Sequence, residues 1–567
     1  MTQTKFAGIT MAGAILLALW TPTVRGQSVP NIGDAMRQAK PPEVPSAPAP
    51  ILPSIGNDSG QIEVPMSALP SGPRVDVRKI DIVGNRVIET ATLQVLVADG
   101  AGKSLTLAEL EGLALRITRH YRSKGYFVAR AYIPAQDVTE GVVKIRVVEG
   151  NYGRFQLKNR SLVRDSTVQA MLDDVKGADI VSLDTLERAM LIINDTPGVQ
   201  VTRADVMPGD KVGTSDFAVD TRAKSRYGGF VMIDNYGSIY TGKNRLSFNV
   251  DVNSPADRGD RLSLSGMDTD RSGLNNGRLG YSLPLAANGL RGEAAVSKTN
   301  YQLGNTYSSL DATGTANGVD LTLSYPVRRI RAQTIEVDLS LAHRNLEDKT
   351  ESTRTVIPKT SNSVTAGVSL REDDTVAGSA GETQANLSLS VGHLNIDDAI
   401  ARANDAAGAQ LQGNYNKLMA ELSRTSALPR DFVLTAALKA QHTLGSRNLD
   451  GSERMSVSGS SAVMAYPSGE LIGSDANLAH ADISRALPPL GALQSNWRLF
   501  GDWGSAKAAN PLPADVSRHI SDLGLGWTAS YDGALIRATL AHRLDAAPAV
   551  SEPFPRNKLL IQAGWTF

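Results

Sequence analysis

The chain has no cysteine, which excludes disulfides, thiolate metal sites and cysteine nucleophiles and is compatible with an oxidising compartment. It has no excess of charge either: 58 basic residues balance 58 acidic ones, so nothing in the balance points to a nucleic-acid partner. Beyond residue 26 there is no run of about eighteen apolar residues, so a mature chain that crosses a membrane must do so with strands. The seven histidines are scattered, and neither HExxH nor GxSxG occurs, which removes the usual zinc-hydrolase and serine-hydrolase readings. VADGAGKS at residues 97–104 has Val97 where a phosphate loop needs glycine, and reads as a glycine-rich connection between helices. No catalytic residue, metal ligand or cofactor is predicted, and the protein is read as a non-enzyme.

A mean hydropathy of −0.16 hides strong local alternation. Residues 1–26 combine Lys5 with an uncharged run over 6–24 and a small residue at Gly26, the pattern of a cleaved signal peptide. Residues 32–39 (IGDAMRQA) offer two helical turns within a segment 27–40. Residues 41–73 contain Pro41, Pro42, Pro45, Pro48 and Pro50 and more beyond, a semi-rigid spacer without a core. A length of 567 residues predicts several domains.

Two copies of a βααββ pattern follow, at 74–151 and 152–224. In the first, residues 75–83 alternate as one strand. Thr106 and Glu109 then make a capping box before Leu107, Leu110, Ala114, Ile117 and Tyr121 at helical spacing, and residues 127–133 and 142–148 read as strands. In the second, 155–157, 199–206 and 216–220 read as strands around helices at 166–174 and 183–193. From 225 to 567 the alternation is period two: Leu246, Phe248, Val250 and Val252 on one face, Val319, Leu321, Leu323 and Tyr325, then Ile335, Val337, Leu339 and Leu341. Short connections (286–289, 531–533) alternate with long polar ones (343–361, 393–413, 443–475). Counting hairpins from Gly228 gives about sixteen strands, an even number as single-chain outer-membrane barrels require. Residues 557–567 (NKLLIQAGWTF) form the closing strand, with Trp565 and Phe567 as the aromatic end signal.

HYRSKGYFVARAYIPAQD at 120–137, VVKIRVVEGNYG at 142–153, LERAMLIINDTPGVQV with PGDKVGTSDF further on, and GGFVMIDNYGSIYTGKNRL at 228–246 together resemble the two-partner secretion transporters. These are outer-membrane exporters of the haemolysin and filamentous-haemagglutinin type. The resemblance implies a mainly β fold, with two α+β polypeptide-transport-associated (POTRA) domains in the periplasm before a sixteen-stranded transmembrane β-barrel. It implies an N-terminal plug helix and a loop, about 444–478, inserted in the lumen. The partners it implies are a cognate exoprotein (adhesin, haemolysin or contact-dependent toxin), the barrel-assembly machinery during biogenesis, and outer-membrane lipid. A barrel-assembly insertase of the same superfamily and a passive porin remain as alternatives.

The best-matching POTRA block puts Tyr121, Arg122, Gly125, Tyr126 and Gln136 forward as residues that touch the exoprotein, against a structural reading in which Gly125 turns the chain and the tyrosines fill a core. In the family, an arginine in a Val-Arg-Gly-aromatic loop tip meets an aspartate on strand thirteen. Here the wall has Phe500, Asp502 and Gly504, but the tip reads Val463, Met464, Ala465, Tyr466. Either Asp502 finds another cation, with Arg498 on the same face, or the loop sits differently.

Overall fold

The computed structural model describes residues 29–39, 73–138, 140–512, 517–546, 548–552 and 555–567. The expected signal peptide (1–26) and nearly all of the proline-rich spacer (41–73) lie outside the described residues. The first described element is a helix, α1 (Ile32–Gln38). Asn31 caps it: its Oδ1 accepts from the Gly33 and Asp34 amides at 2.9 and 3.3 Å, while Asp34 Oδ2 accepts from the Asn31 amide at 2.9 Å. Seven residues are too few to hold a helix in water, so its stability comes from docking.

The first periplasmic unit runs β1 (Arg74–Val77), β2 (Lys79–Val83), α2 (Thr90–Val97), β3 (Lys103–Thr106), α3 (Leu107–Ser123), β4 (Arg130–Tyr132) and β5 (Val142–Val148). The expected single strand over 75–83 is two, because the Arg78 amide donates 2.7 Å to the Gly141 carbonyl and breaks the run. β1 then pairs with β3, and β2 enters the sheet β2-β5-β4. The expected capping box forms: Thr106 Oγ1 accepts from the Glu109 amide and Glu109 Oε2 from the Thr106 amide. The second unit runs β6 (Asn151–Lys158), α4 (Asp165–Asp174), α5 (Leu183–Asp195), β7 (Val199–Pro208) and β8 (Thr214–Ala223), with sheet order β6-β8-β7.

Sixteen antiparallel strands then close into a barrel, the first (Tyr227–Asp234) pairing with the last (Asn557–Thr566). Closure is completed by reciprocal 3.0 Å hydrogen bonds between the main chains of Gly229 and Phe567. Leu321, Leu339, Leu341 and Leu389 on the outer face are each more than two-fifths exposed, a distribution that water would penalise and a hydrocarbon band requires. Two-residue turns at Ala377-Gly378 and Asp532-Gly533 both take positive φ at each position, the backbone that matches hairpin twist.

The second unit sits against the short-turn end. Arg188 of α5 donates to the Pro326 carbonyl (2.7 Å) and the Asn288 carbonyl (3.1 Å), and Arg329 grips Asp195 with two bonds of 2.7 and 2.9 Å. One expected long loop is not a loop. Barrel strands 7 (Gln333–Thr350) and 8 (Thr355–Val376) carry the hairpin straight through 343–361, which is largely polar because it continues the sheet past the apolar band. The connection expected over 393–413 is shorter, at 397–412, and contains a helix, α6 (Ala399–Ala407).

Candidate functional site

The barrel lumen is filled by two pieces of the chain itself, α1 and the connection 444–474 between barrel strands 11 (Phe432–Thr443) and 12 (Asp475–Ala486). Ile32, Ala35 and Ala39 of the helix side are buried among Leu274, Tyr301, Ala312, Ala316 and Leu346. The Ile32 amide donates 2.8 Å to Asp348 Oδ1, which also accepts from the Tyr301 hydroxyl at 2.8 Å. At the other end Arg245, held by Asp234 at 2.7 and 3.1 Å, donates 2.8 Å to the Gln38 carbonyl. A guanidinium there also complements the negative end of the helix.

Ion pairs fix the root of the lumenal loop to the wall. Lys359 bridges Asp450 at 3.0 Å and Asp348 at 3.3 Å, Lys417 holds Glu453 at 2.7 Å, and Arg344 reaches Glu453 at 3.2 Å. Asp348 thus belongs to both networks, so helix and loop share an anchor. They also touch directly, Gly33 against the main chain of Gly451 and Ser452.

The four tip residues, Val463, Met464, Ala465 and Tyr466, are all buried and join Phe500, Ile520, Ala541 and Leu560 in one apolar cluster on the wall. Gly504 lies beneath Val457, where a Cβ would come within 2.8 Å of the valine Cβ. Asp502 is bonded neither by the tip nor by Arg498 but by a histidine of the neighbouring strand. His480, its register partner on strand 12, places Nδ1 2.5 Å from Asp502 Oδ1 and Nε2 3.1 Å from Asp482 Oδ2. Arg498 instead points Nη2 at Met464 Sδ, 3.9 Å away. Two bonds hold the tip by its backbone and one by a side chain: the Ala465 amide donates 2.6 Å to Asp522 Oδ2, Lys558 Nζ donates 2.9 Å to the Tyr466 carbonyl, and the Tyr466 hydroxyl donates 2.9 Å to Asp545. Asp502 and Asp522 face each other in register, and each keeps one buried oxygen, Asp502 Oδ2 and Asp522 Oδ1, that receives no N–H or hydroxyl donor.

The five periplasmic residues do not form one surface. Tyr121 is fully buried, edge to face with Tyr126 at 6.0 Å, and its hydroxyl donates 2.8 Å to Glu149. Burial first, and the Glu149 bond second, push that phenol far above its ordinary range. Arg122 is half-buried. Gly125 turns the chain at φ +88°, and its carbonyl accepts from the Leu183 amide of the second unit at 2.9 Å. Gln136 clasps Lys144 of β5 with both amide atoms, at 2.8 and 2.7 Å, filling the ladder where β4 ends. Glu149 Oε1 also accepts from the Arg86 and Val87 amides at 2.6 and 2.9 Å. Glu149→Ala therefore leaves a buried hydroxyl and two backbone amides unpaired, each costing about 1–3 kcal/mol. Thermolysin cleavage between residues 84 and 149 of the full-length protein is expected to accelerate at least ~100-fold, against ~5-fold for Tyr121→Phe, which removes one bond.

Two family models match this chain. The model described as haemolysin secretion/activation protein ShlB/FhaC/HecB covers residues 213–527, and that of the ShlB-type POTRA domain covers 75–150. The chain belongs to the ShlB/FhaC/HecB family. It is 27% identical over 443 residues to the heme/hemopexin transporter protein HuxB of Haemophilus influenzae, 77% of each chain. To the outer membrane transporter CdiB of Dickeya dadantii it is 23% identical over 406 residues, 70% of this chain and 69% of that one. The solved CdiB from Escherichia coli superposes with a TM-score of 0.73 at 20% identity, covering 94% of this chain and 95% of that chain, and so shares its fold. The protein is an outer-membrane secretion transporter of this family, its two modules POTRA domains on the periplasmic side.

In this transporter His480, Asp522 and Glu149 are among the site residues that escaped sequence reasoning, as are the ion pairs at the root of the loop. For the first two a signal existed, since His480, Asp482, Asp502 and Asp522 all fall at inward positions of a period-two pattern otherwise small or apolar nearby. Glu149 gave none, because one acidic residue after a strand reads as solvent-facing.

Proposed function

We propose that the transporter takes an unfolded partner exoprotein from the periplasm at its POTRA sheets and passes it through the barrel to the cell surface, without enzymatic chemistry. The observation that carries this reading is the lumen, closed by two elements of the chain itself above periplasmic modules joined to the barrel rim. A passive porin has no use for either. The second POTRA sheet ends in β7, ten residues long, and among the described residues no further strand pairs along its outer side. An extended client can add there through main-chain hydrogen bonds, a broader acceptor than the cluster around Tyr121, which is core. In this reading α1 is the plug and leaves the lumen during transport. Folding of the client outside supplies direction, since an ordered domain cannot slip back. The cargo is of the adhesin, haemolysin or contact-dependent toxin class. Trp565 and Phe567 present the closing strand to the barrel-assembly machinery, and the apolar band meets outer-membrane lipid.

Deleting the protein is expected to abolish release of the exoprotein into the medium, with its fragments retained in the periplasm, and a form lacking 74–224 is expected not to restore it. Undiminished secretion from the deletion strain overturns the reading.

A further inference from the structure

Three cross-strand pairs on the outside of the barrel repeat one arrangement. His343 faces Asn362, His393 faces Asn414 and His542 faces Asn557. In each, the imidazole Nδ1 lies 2.6 or 2.7 Å from the asparagine Oδ1, and all six side chains are exposed. Each histidine lies toward the long-connection end of a strand rising away from the POTRA domains, and each asparagine on the strand that returns. Asn362 also faces His393 in register. The first two pairs therefore merge into a single row, His343, Asn362, His393, Asn414, across four adjacent strands. Along the same outer face, toward the middle of the membrane, the row continues into a shallow groove lined by Leu321, Leu341, Val364 and Val391.

The chemistry of the row follows from its internal bonds. An amide oxygen only accepts, so each Nδ1 carries the proton and donates, leaving each Nε2 as an outward acceptor. Each asparagine has its Oδ1 occupied and offers Nδ2–H donors. Acceptor and donor thus alternate from strand to strand, at the height where the apolar band gives way to polar surface. The row itself holds no lysine, arginine or carboxylate, and the nearby outward pair Lys349–Glu347 is self-satisfied at 3.0 Å. Four strands at the usual spacing span about 14 Å, the width of two linked sugars rather than of one phosphodiester. A neutral, alternating strip suits hydroxyl and amide groups, which both donate and accept, better than it suits a bare phosphate.

We infer that this row and its groove bind an acylated amino-sugar lipid of the outer leaflet, the sugar hydroxyls and amides on the His/Asn row and the acyl chains on the leucines and valines. The inference rests on the placement of the barrel in the outer membrane and names the lipid that meets it there. The test uses the full-length protein in detergent, with lipid A freed of its two phosphates (lipid A below) as probe beside dioleoyl-phosphatidylethanolamine and dioleoyl-phosphatidylglycerol, and bound lipid counted by native mass spectrometry. Wild type is expected to bind lipid A at least tenfold more tightly than either phospholipid. His343→Ala with His393→Ala is expected to bring lipid A down to the phospholipid level, while His542→Ala, outside the four-strand row, changes binding less than twofold. Equal affinity for the three lipids in wild type overturns the inference without recourse to any variant, as does undiminished lipid A binding by a double variant that still runs as a heat-modifiable barrel. A wild-type protein that is soluble without detergent would instead sink the membrane placement on which the inference stands.

Discussion

Replacing Gly33 by leucine is expected to open the pore. A Cβ built at Gly33 would stand 2.2 Å from the Gly451 carbonyl carbon and 2.3 Å from the Ser452 nitrogen, both main-chain atoms that no rotamer change can move. One of the two elements must give way. The loop is held beside the clash by Lys359 on Asp450 and by Lys417 and Arg344 on Glu453, and removing one member of such buried pairs costs several kcal/mol. The helix has seven residues, no stability of its own, and polar end contacts through one amide to Asp348, one carbonyl to Arg245 and the Gln38 side chain to the Thr241 hydroxyl. The helix is therefore the element that leaves. Single-channel conductance in planar bilayers is expected to rise severalfold, to the level of a protein lacking residues 29–39, with the barrel still heat-modifiable. Conductance unchanged from wild type would mean that α1 does not close the pore.

The barrel was legible because its signal is repeated: period-two alternation in strand after strand, with outer positions such as Leu321, Leu339 and Leu389 apolar against lipid. Where the outer face leaves the lipid the alternation ends but the strand does not, which is why residues 343–361 read as a loop and fold as a hairpin. In the first POTRA domain the alternation of residues 75–83 runs straight through Arg78, and the break there is made by a hydrogen bond to Gly141, sixty-odd residues away, that no local pattern records. The strand Lys103–Thr106 was hidden for another reason, since four residues are too short for a period. At the lumenal tip, the sequence told that Asp502 lacked its arginine. It did not tell what replaced it, because His480 and Asp522 reach Asp502 through strand register, which is fixed by the whole barrel and by no single stretch.

That replacement makes Met464→Arg the sharpest probe of the loop. The new side chain would begin one residue from Ala465, whose amide is already 2.6 Å from Asp522 Oδ2, so the guanidinium starts within reach of the facing pair Asp502 and Asp522. Each has a buried oxygen that receives no N–H or hydroxyl donor, and the two carboxyl groups face each other across the strand pair. Against this stands Arg498, whose Nη2 now lies against Met464 Sδ and would meet a like charge. Two guanidinium groups about 6 Å apart repel by about 3 kcal/mol at an effective dielectric of 20, whereas the single negative charge that two facing carboxyl groups hold between them attracts at about 4 Å by about 4 kcal/mol. Arg498 also keeps a place over the Phe500 ring, 5.2 Å from its centroid, so it has somewhere to stay. With a charge-assisted hydrogen bond to the pair offsetting the desolvation of the incoming charge, the balance favours the arginine by about 1 kcal/mol. Protease cleavage within residues 444–474 is then expected to slow ~5-fold, and the gain is expected to vanish when Asp502→Asn and Asp522→Asn are added. Cleavage at the wild-type rate would show that the two carboxyl groups already satisfy one another by sharing a proton, and that this transporter holds its loop by a carboxyl pair and a backbone amide where an arginine would otherwise serve.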